Sequence, residues 1–158
     1  MTKILGIDPG TATTGFGVIT KSSGKLEAVD YGVISTPKEL EMPRRLQIIF
    51  DDLQEIINKH NPDIVAIEQL FFARNVTTAI TVGQSRGVIL LAMQIKGIKI
   101  TEFTPLQVKQ SVTGYGQATK KQVQSMVQKI LKLDTIPKPD DAADALAIAI
   151  CASSKSYL

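Results

Sequence analysis

The 158 residues carry 44% hydrophobic and 21% charged side chains, enough apolar material for one packed domain and too little chain for two of ordinary size. That balance excludes disordered, collagen-like and coiled-coil organisation. Net charge is only +3, but nine basic residues against one acid, Glu102, fall between Arg74 and Lys132, a segregation that suits a polyanionic partner and also suits a set of solvated helix faces.

Lys3 to Asp8 (KILGID) is an apolar run that ends in an acid before Pro9-Gly10, the pattern of a buried strand stopped by a turn. Gly15 to Thr20 and Ala28 to Ser35 predict two more strands, joined by a polar turn over residues 21–25. Pro43 suits a first helical turn. After it Leu46, Ile49, Phe50, Leu53, Ile56 and Ile57 recur at helical spacing, to about Lys59. Asn61-Pro62 ends that helix, and Asp63 to Glu68 (DIVAIE) repeats the opening pattern of a strand closing on an acid.

Asn75 can cap a long helix through Ile95, closed by Gly97, with a fifth strand from Ile98 to Phe103. Thr104-Pro105-Leu106-Gln107 has the makings of a capped helix start. Gly114-Tyr115-Gly116 interrupts this helix, and Thr119 opens the next, with Val123, Met126, Val127, Ile130 and Leu131 on its inner stripe. Pro137 and Pro139 lead into a last helix from about Asp141 to Ala152, apolar on every side and so expected to be buried. Its uncharged run, Ala145 to Ala152, is far shorter than the ~20 residues of a membrane span. The one cysteine, Cys151, sits in that run, and the N-terminus lacks a basic-then-apolar export signal. Both favour a reducing, cytoplasmic location. The expectation is a single α/β domain over residues 1–158, a mixed sheet covered by helices.

Two strands deliver carboxylates, Asp8 and Glu68, at their C-terminal ends, the edge where α/β sheets handle ligands. Asp141 and Asp144 stand three apart on one face of the buried helix. Each acid alone has a plainer reading: a turn residue for Asp8, a surface acid for Glu68, a cap for Asp140 or Asp141, a first-turn charge for Asp144. Together they are costly to bury unless a cation balances them, and all-oxygen ligands select Mg²⁺ or Mn²⁺. Phe71 and Phe72 share one loop beside this site in a chain that is 5% aromatic. Such a ring can stack on an unpaired base, or pack beneath its loop. His60 receives no role.

The segments GIDPGTATTGFGVI, IEQLFFARN, GQSRGV, QVKQSVTGYGQATKKQVQ and DDAADALAIAI resemble, in order and spacing across essentially the whole chain, the signatures of the RuvC family of Holliday junction resolvases. The resemblance implies a ribonuclease H-like fold, a five-stranded mixed sheet with helices on both faces. It implies a homodimeric, Mg²⁺-dependent endonuclease that nicks a four-way DNA junction symmetrically, in two strands of like polarity, during recombination and repair. The branch-migration proteins RuvA and RuvB are its implied partners. The family's catalytic acids match Asp8, Glu68, Asp141 and Asp144, its stacking phenylalanine matches Phe71, and its basic residues near the scissile phosphate match Lys109 and Lys120. Arg74, Arg86 and Lys121, in the basic segment, complete the expected DNA contacts. Asp140, four residues before Asp144, and Phe72 double two of these positions.

The expected chemistry is two-metal phosphodiester hydrolysis, with two Mg²⁺ ions roughly 3.5–4 Å apart and Lys120 adding positive charge at the phosphate. Two symmetric nicks call for a two-fold dimer. The alternatives are an actin-like ATPase, whose first phosphate loop is similar to Gly6 to Thr11 but needs a second domain, and a junction-binding module without catalysis.

Overall fold

The computed structural model describes residues 1–69 and 76–155. Its elements in chain order are β1 (Thr2–Asp8), β2 (Thr13–Ser22), β3 (Lys25–Ser35), α1 (Met42–His60), β4 (Ile64–Glu68), α2 (Val76–Ile95), β5 (Lys99–Phe103), α3 (Pro105–Thr113), α4 (Lys120–Leu131) and α5 (Asp140–Ser153). The five strands form one sheet in the order β3-β2-β1-β4-β5. The first three are antiparallel neighbours, whereas β4 and β5 run parallel to β1. This is the expected mixed sheet, with helices on both faces.

β2 and β3 run longer than their hydrophobic cores predicted. Ser23 and Gly24, both with positive φ, make a two-residue hairpin turn whose twist matches the flanking strands, so pairing continues to Ser22↔Lys25. The predicted capping box at Thr104 and Gln107 forms, and Thr119 with Gln122 forms a second at the start of α4. The last helix forms where expected, one residue longer at each end. Its N-cap is Pro139, and Asp140 and Asp141 lie in the first turn, so neither acid is the cap. Asn75, the expected cap of α2, lies outside the described residues.

Alternation along β1 divides the core. Leu5 and Ile7 face a cluster with Ile49, Leu53 and Ile57 of α1 and Ile89 and Met93 of α2. Ile4 faces the other cluster, built on α3, α4 and α5. His60, given no role from sequence, is buried, and its Nε2 lies 2.8 Å from Asp30 Oδ2, tying α1 to β3.

A second long apolar helix lies outside the C-terminal run. Helix α2 is 20 residues long, long and apolar enough to cross a membrane by length and composition alone. Its run is broken by Gln84, Ser85 and Arg86, which hid it in the sequence. In the fold, Ala79, Ser85, Ile89, Ala92 and Met93 are buried, while Val76, Ile80, Leu91 and Ile95 are between 55% and 73% exposed.

α5 lies unusually close to the sheet. A Cβ on Gly6 of β1 would collide with the carbonyl oxygen of Ala145 and the backbone of Ala149. On Gly15 of β2 it would collide with the Asp141 carbonyl, and on Gly17 with Leu146. Three glycines therefore clear a track for the helix, and that track sets where its acids sit.

Candidate active site

Period-2 geometry carries two acids to one place. Ile4, Gly6 and Asp8 alternate onto the α5 face of β1, as Ile64, Ala66 and Glu68 do on β4. The strands pair in parallel up to Ile7↔Ile67, so Asp8 and Glu68 follow one residue beyond, at the C-terminal edge. The chain after Asp8 is pinned: Thr14 Oγ1 donates to the Gly10 carbonyl at 2.7 Å, Thr11 Oγ1 to the Thr81 carbonyl at 2.9 Å, and Thr36 Oγ1 to the Thr11 carbonyl at 2.6 Å.

The N-terminal turn of α5 brings its acids over this edge. Carboxylate oxygens of Asp8, Asp141 and Asp144 all lie within 4.8 Å of one another. Glu68 faces Asp8 and Asp144 across a cleft of about 270 Å³, whose walls include Pro105, Val108, Lys109, Lys120, Val123 and Ala147. Asp141 meets the cluster from the opposite side, where it borders the loop of Gly10 to Thr13. Asp140 does not join them. It is exposed, pairing instead with Lys138 at 3.4 Å and Lys120 at 3.8 Å.

Burial and mutual repulsion dominate the electrostatics. Burial, followed by the charges of Asp144, Glu68 and Asp141, pushes the Asp8 pKa up to about 8, with Lys120 pulling the other way. Burial and then Asp144 raise that of Glu68, partly offset by Lys109. Asp144 is also raised, by burial above all, although Lys120 lies 3.3 Å away. Burial works to lower the Lys120 pKa, but Asp144, Asp140 and Asp141 outweigh it and raise it. Converging carboxylates held in this way favour either protons or a divalent cation. The donors are all oxygen, and the described residues bring no histidine or cysteine into the cluster, so the set fits a hard cation.

The sequence-predicted residues thus divide four ways. Asp8, Glu68, Asp141, Asp144, Lys109 and Lys120 converge. Arg86 lines an adjoining hollow of about 210 Å³ that shares Asp8, Glu68 and Pro105 with the main cleft, whereas Lys121 is exposed on α4 away from the cleft walls. Phe71, Phe72 and Arg74 lie outside the described residues. Sequence reasoning missed the glycine track and a partner for Arg86: Glu102 Oε2 lies 2.6 Å from its Nη2. Glu102 carried a signal in retrospect, as the lone acid in a basic stretch.

The family model for crossover junction endodeoxyribonuclease RuvC matches residues 4–152. The chain belongs to the RuvC family. A RuvC relative from Syntrophomonas wolfei is 60% identical over 149 residues, covering 94% of this chain and 87% of the relative. One from Halothermothrix orenii is also 60% identical, covering 94% and 90%. The solved Thermus thermophilus RuvC superposes with a TM-score of 0.88 at 34% identity, over 96% of this chain and 93% of that one. T. thermophilus RuvC in complex with a Holliday junction substrate gives the same TM-score at 31% identity, with the same coverage. The RuvC fold and its endodeoxyribonuclease class therefore extend over nearly the whole chain.

Proposed function

We propose that this RuvC protein resolves Holliday junctions by Mg²⁺-dependent hydrolysis, cutting two strands of like polarity symmetrically. The observation that carries the reading is the convergence of Asp8, Asp141 and Asp144 within 4.8 Å, beside Glu68 and two lysines in one cleft, in a member of a junction-endonuclease family.

Asp8, Glu68, Asp141 and Asp144 would hold the metal, two Mg²⁺ per site by the charge of four carboxylates, with Mn²⁺ a substitute. Bound there, the metal supplies Lewis-acid charge and a water of lowered pKa. The chain's own residues do the rest. Pro105, Val108, Val123 and Ala147 narrow the cleft, limiting water around the reacting phosphate. Lys109 and Lys120 present positive charge to its non-bridging oxygens, where negative charge grows in the transition state. Water oxygen bonds to phosphorus as the bond to the 3′ oxygen breaks, leaving a 5′ phosphate and a 3′ hydroxyl.

Symmetric cutting needs two such clefts, hence a homodimer. The exposed apolar stripe of α2, through Val76, Ile80, Leu91 and Ile95, supports that reading, because a stripe of this kind gains from being covered. Phe71 and Arg74 are assigned to the junction DNA with Arg86 and Lys121. On this reading the protein works in the cytoplasm, in concert with RuvA and RuvB.

The test is to incubate the protein with a mobile four-way junction and a matched linear duplex, with and without Mg²⁺, and to map the cuts. Paired symmetric nicks in the junction alone, requiring Mg²⁺, are expected. Cutting of both substrates alike, or of neither, contradicts the reading.

A further inference from the structure

Arg86 and Glu102 both occupy places where the local pattern calls for an apolar side chain. On α2, Arg86 falls on the inward face with the buried Ala79, Ile89 and Met93. On β5, Glu102 alternates with Ile98 and Ile100, which pack against the α1–α2 core, and it stands opposite core residue Ile67 of β4 in the register. Two charges placed on core-facing positions cost stability unless they are paired. They are paired, at 2.6 Å, but unequally. The Arg86 side chain is 19% exposed and the Glu102 side chain 39%. Arg86 Nε is buried and, among the described residues, has no hydrogen-bond partner.

The direction of that guanidinium matters. Arg86, on the α2 side of the sheet, lines the hollow beside Asp8 and Glu68. Left to itself, a long flexible cation there would swing toward the carboxylates and compete with any metal they hold. Glu102 takes up Nη2, while Arg86 also lines the hollow. A planar fork with donors to spare suits a phosphate oxygen.

We propose that Glu102 is a positioning residue: it holds Arg86 at the mouth of the cleft, on the side away from Lys109 and Lys120, where Arg86 takes the DNA phosphate next to the one that is cut. This rests on the nuclease reading above. It gives the lone acid of the basic segment a purpose, since removing it would increase the segment's attraction for DNA while freeing the arginine that must be aimed.

The experiment uses the full chain, a synthetic four-way junction and Mg²⁺. It compares wild type with Arg86→Ala, Arg86→Lys, Glu102→Ala, Glu102→Gln and the Arg86→Ala/Glu102→Ala double variant. Three quantities are read: melting temperature, the salt dependence of junction binding without Mg²⁺, and the single-turnover cutting rate at saturating protein. Arg86→Ala should lower the log–log salt slope by about one unit, the mark of one lost phosphate contact. It should also slow cutting by roughly ten- to a hundredfold, the scale of a misplaced reacting group. Glu102→Ala should leave the slope in place, because the arginine charge remains, yet slow cutting about tenfold. Glu102→Gln, which keeps an acceptor, should recover part of that rate, and Arg86→Lys, which has no fork, should not. In the Arg86→Ala background, Glu102→Ala should cost no further rate.

Wild-type slope and rate in Arg86→Ala would overturn the proposal and leave the pair as a tie between α2 and β5. So would an equal loss from Glu102→Ala with and without Arg86. Should either alanine variant melt below the assay temperature, Glu102→Gln and Arg86→Lys decide by the same rates. Failure of the nuclease reading is separately visible, because the wild-type arm would then not cut.

Discussion

Lys120 Nζ lies 3.3 Å from a carboxylate oxygen of Asp144. Thr119 caps α4 through its side chain, and that capped start places Lys120 over the cleft as the first residue of the helix. The pair is half exposed on the lysine side, so it adds little to folding. Its value lies in placing a cation beside the site proposed for the reacting phosphate. Lys120→Ala should therefore lower the single-turnover cutting rate by about 10²–10³, the scale of losing one preorganised charge, while the melting temperature holds. Lys109→Ala and Lys120→Ala should each flatten the salt slope of junction binding by about one unit. A large loss of melting temperature with normal cutting would make Lys120 a structural residue.

The raised carboxylates predict an unusual pH dependence for the metal-free protein. Burial, with the neighbouring carboxylates, pushes the Asp8 pKa in the folded protein up to about 8, from an ordinary 3.8. Between those values the folded state holds a proton that the unfolded state has released. Stability from this group is thus present at low pH and is lost as pH rises, by about 1.4 kcal/mol per pH unit at most. Glu68 and Asp144 are shifted in the same direction. In chelator, wild type should melt progressively lower from pH 5 to 8, and Asp8→Asn should show a shallower fall and melt higher at pH 8. Mg²⁺ should raise the wild-type melting temperature most at pH 8, where it competes with fewest protons. A metal-free melting curve as flat in wild type as in Asp8→Asn would contradict this.

The close approach of α5 to the sheet gives a third expectation. Gly6→Ala places a methyl against the Ala145 carbonyl and the Ala149 backbone, so the helix must lift. The expected cost is about 1–3 kcal/mol of stability, from overpacking. Because Asp141 and Asp144 ride on that helix, Mg²⁺ should also stabilise this variant less than wild type. Thermal melts with and without Mg²⁺ measure both effects, and an unshifted melt would mean the sheet gives way instead of the helix.

Much of this was legible in sequence because it is local. Strand alternation and the Asp-Pro-Gly stop placed Asp8 and Glu68, and three-residue spacing put Asp141 and Asp144 on one helical face. The choice between Asp140 and Asp141 needed the real start of α5, which follows Pro139 and turns Asp140 outward to Lys138. The hairpin at Ser23-Gly24 extended two strands because polar residues can stay paired beyond an apolar core. Arg86–Glu102 and His60–Asp30 join residues distant in sequence, which no period reveals. The exposed stripe of α2 was hidden because helical periodicity counts apolar residues without telling which face is covered.

That stripe yields a fourth expectation. If α2 is the dimer contact, Leu91→Glu should convert the protein to a monomer at micromolar concentration, as read by light scattering, and should abolish paired cutting. Unchanged mass in Leu91→Glu would place the contact elsewhere.

The most direct test of the account compares junction cutting and junction binding in wild type, Asp8→Asn, Glu68→Gln, Asp141→Asn and Asp144→Asn under one Mg²⁺ concentration. Each substitution should lower cutting by at least about a thousandfold, the effect of several kcal/mol of lost transition-state stabilisation, while junction affinity in the absence of metal stays within a few fold of wild type. Wild-type cutting by Asp8→Asn or Asp144→Asn would contradict the assignment of this cluster as the metal-holding centre.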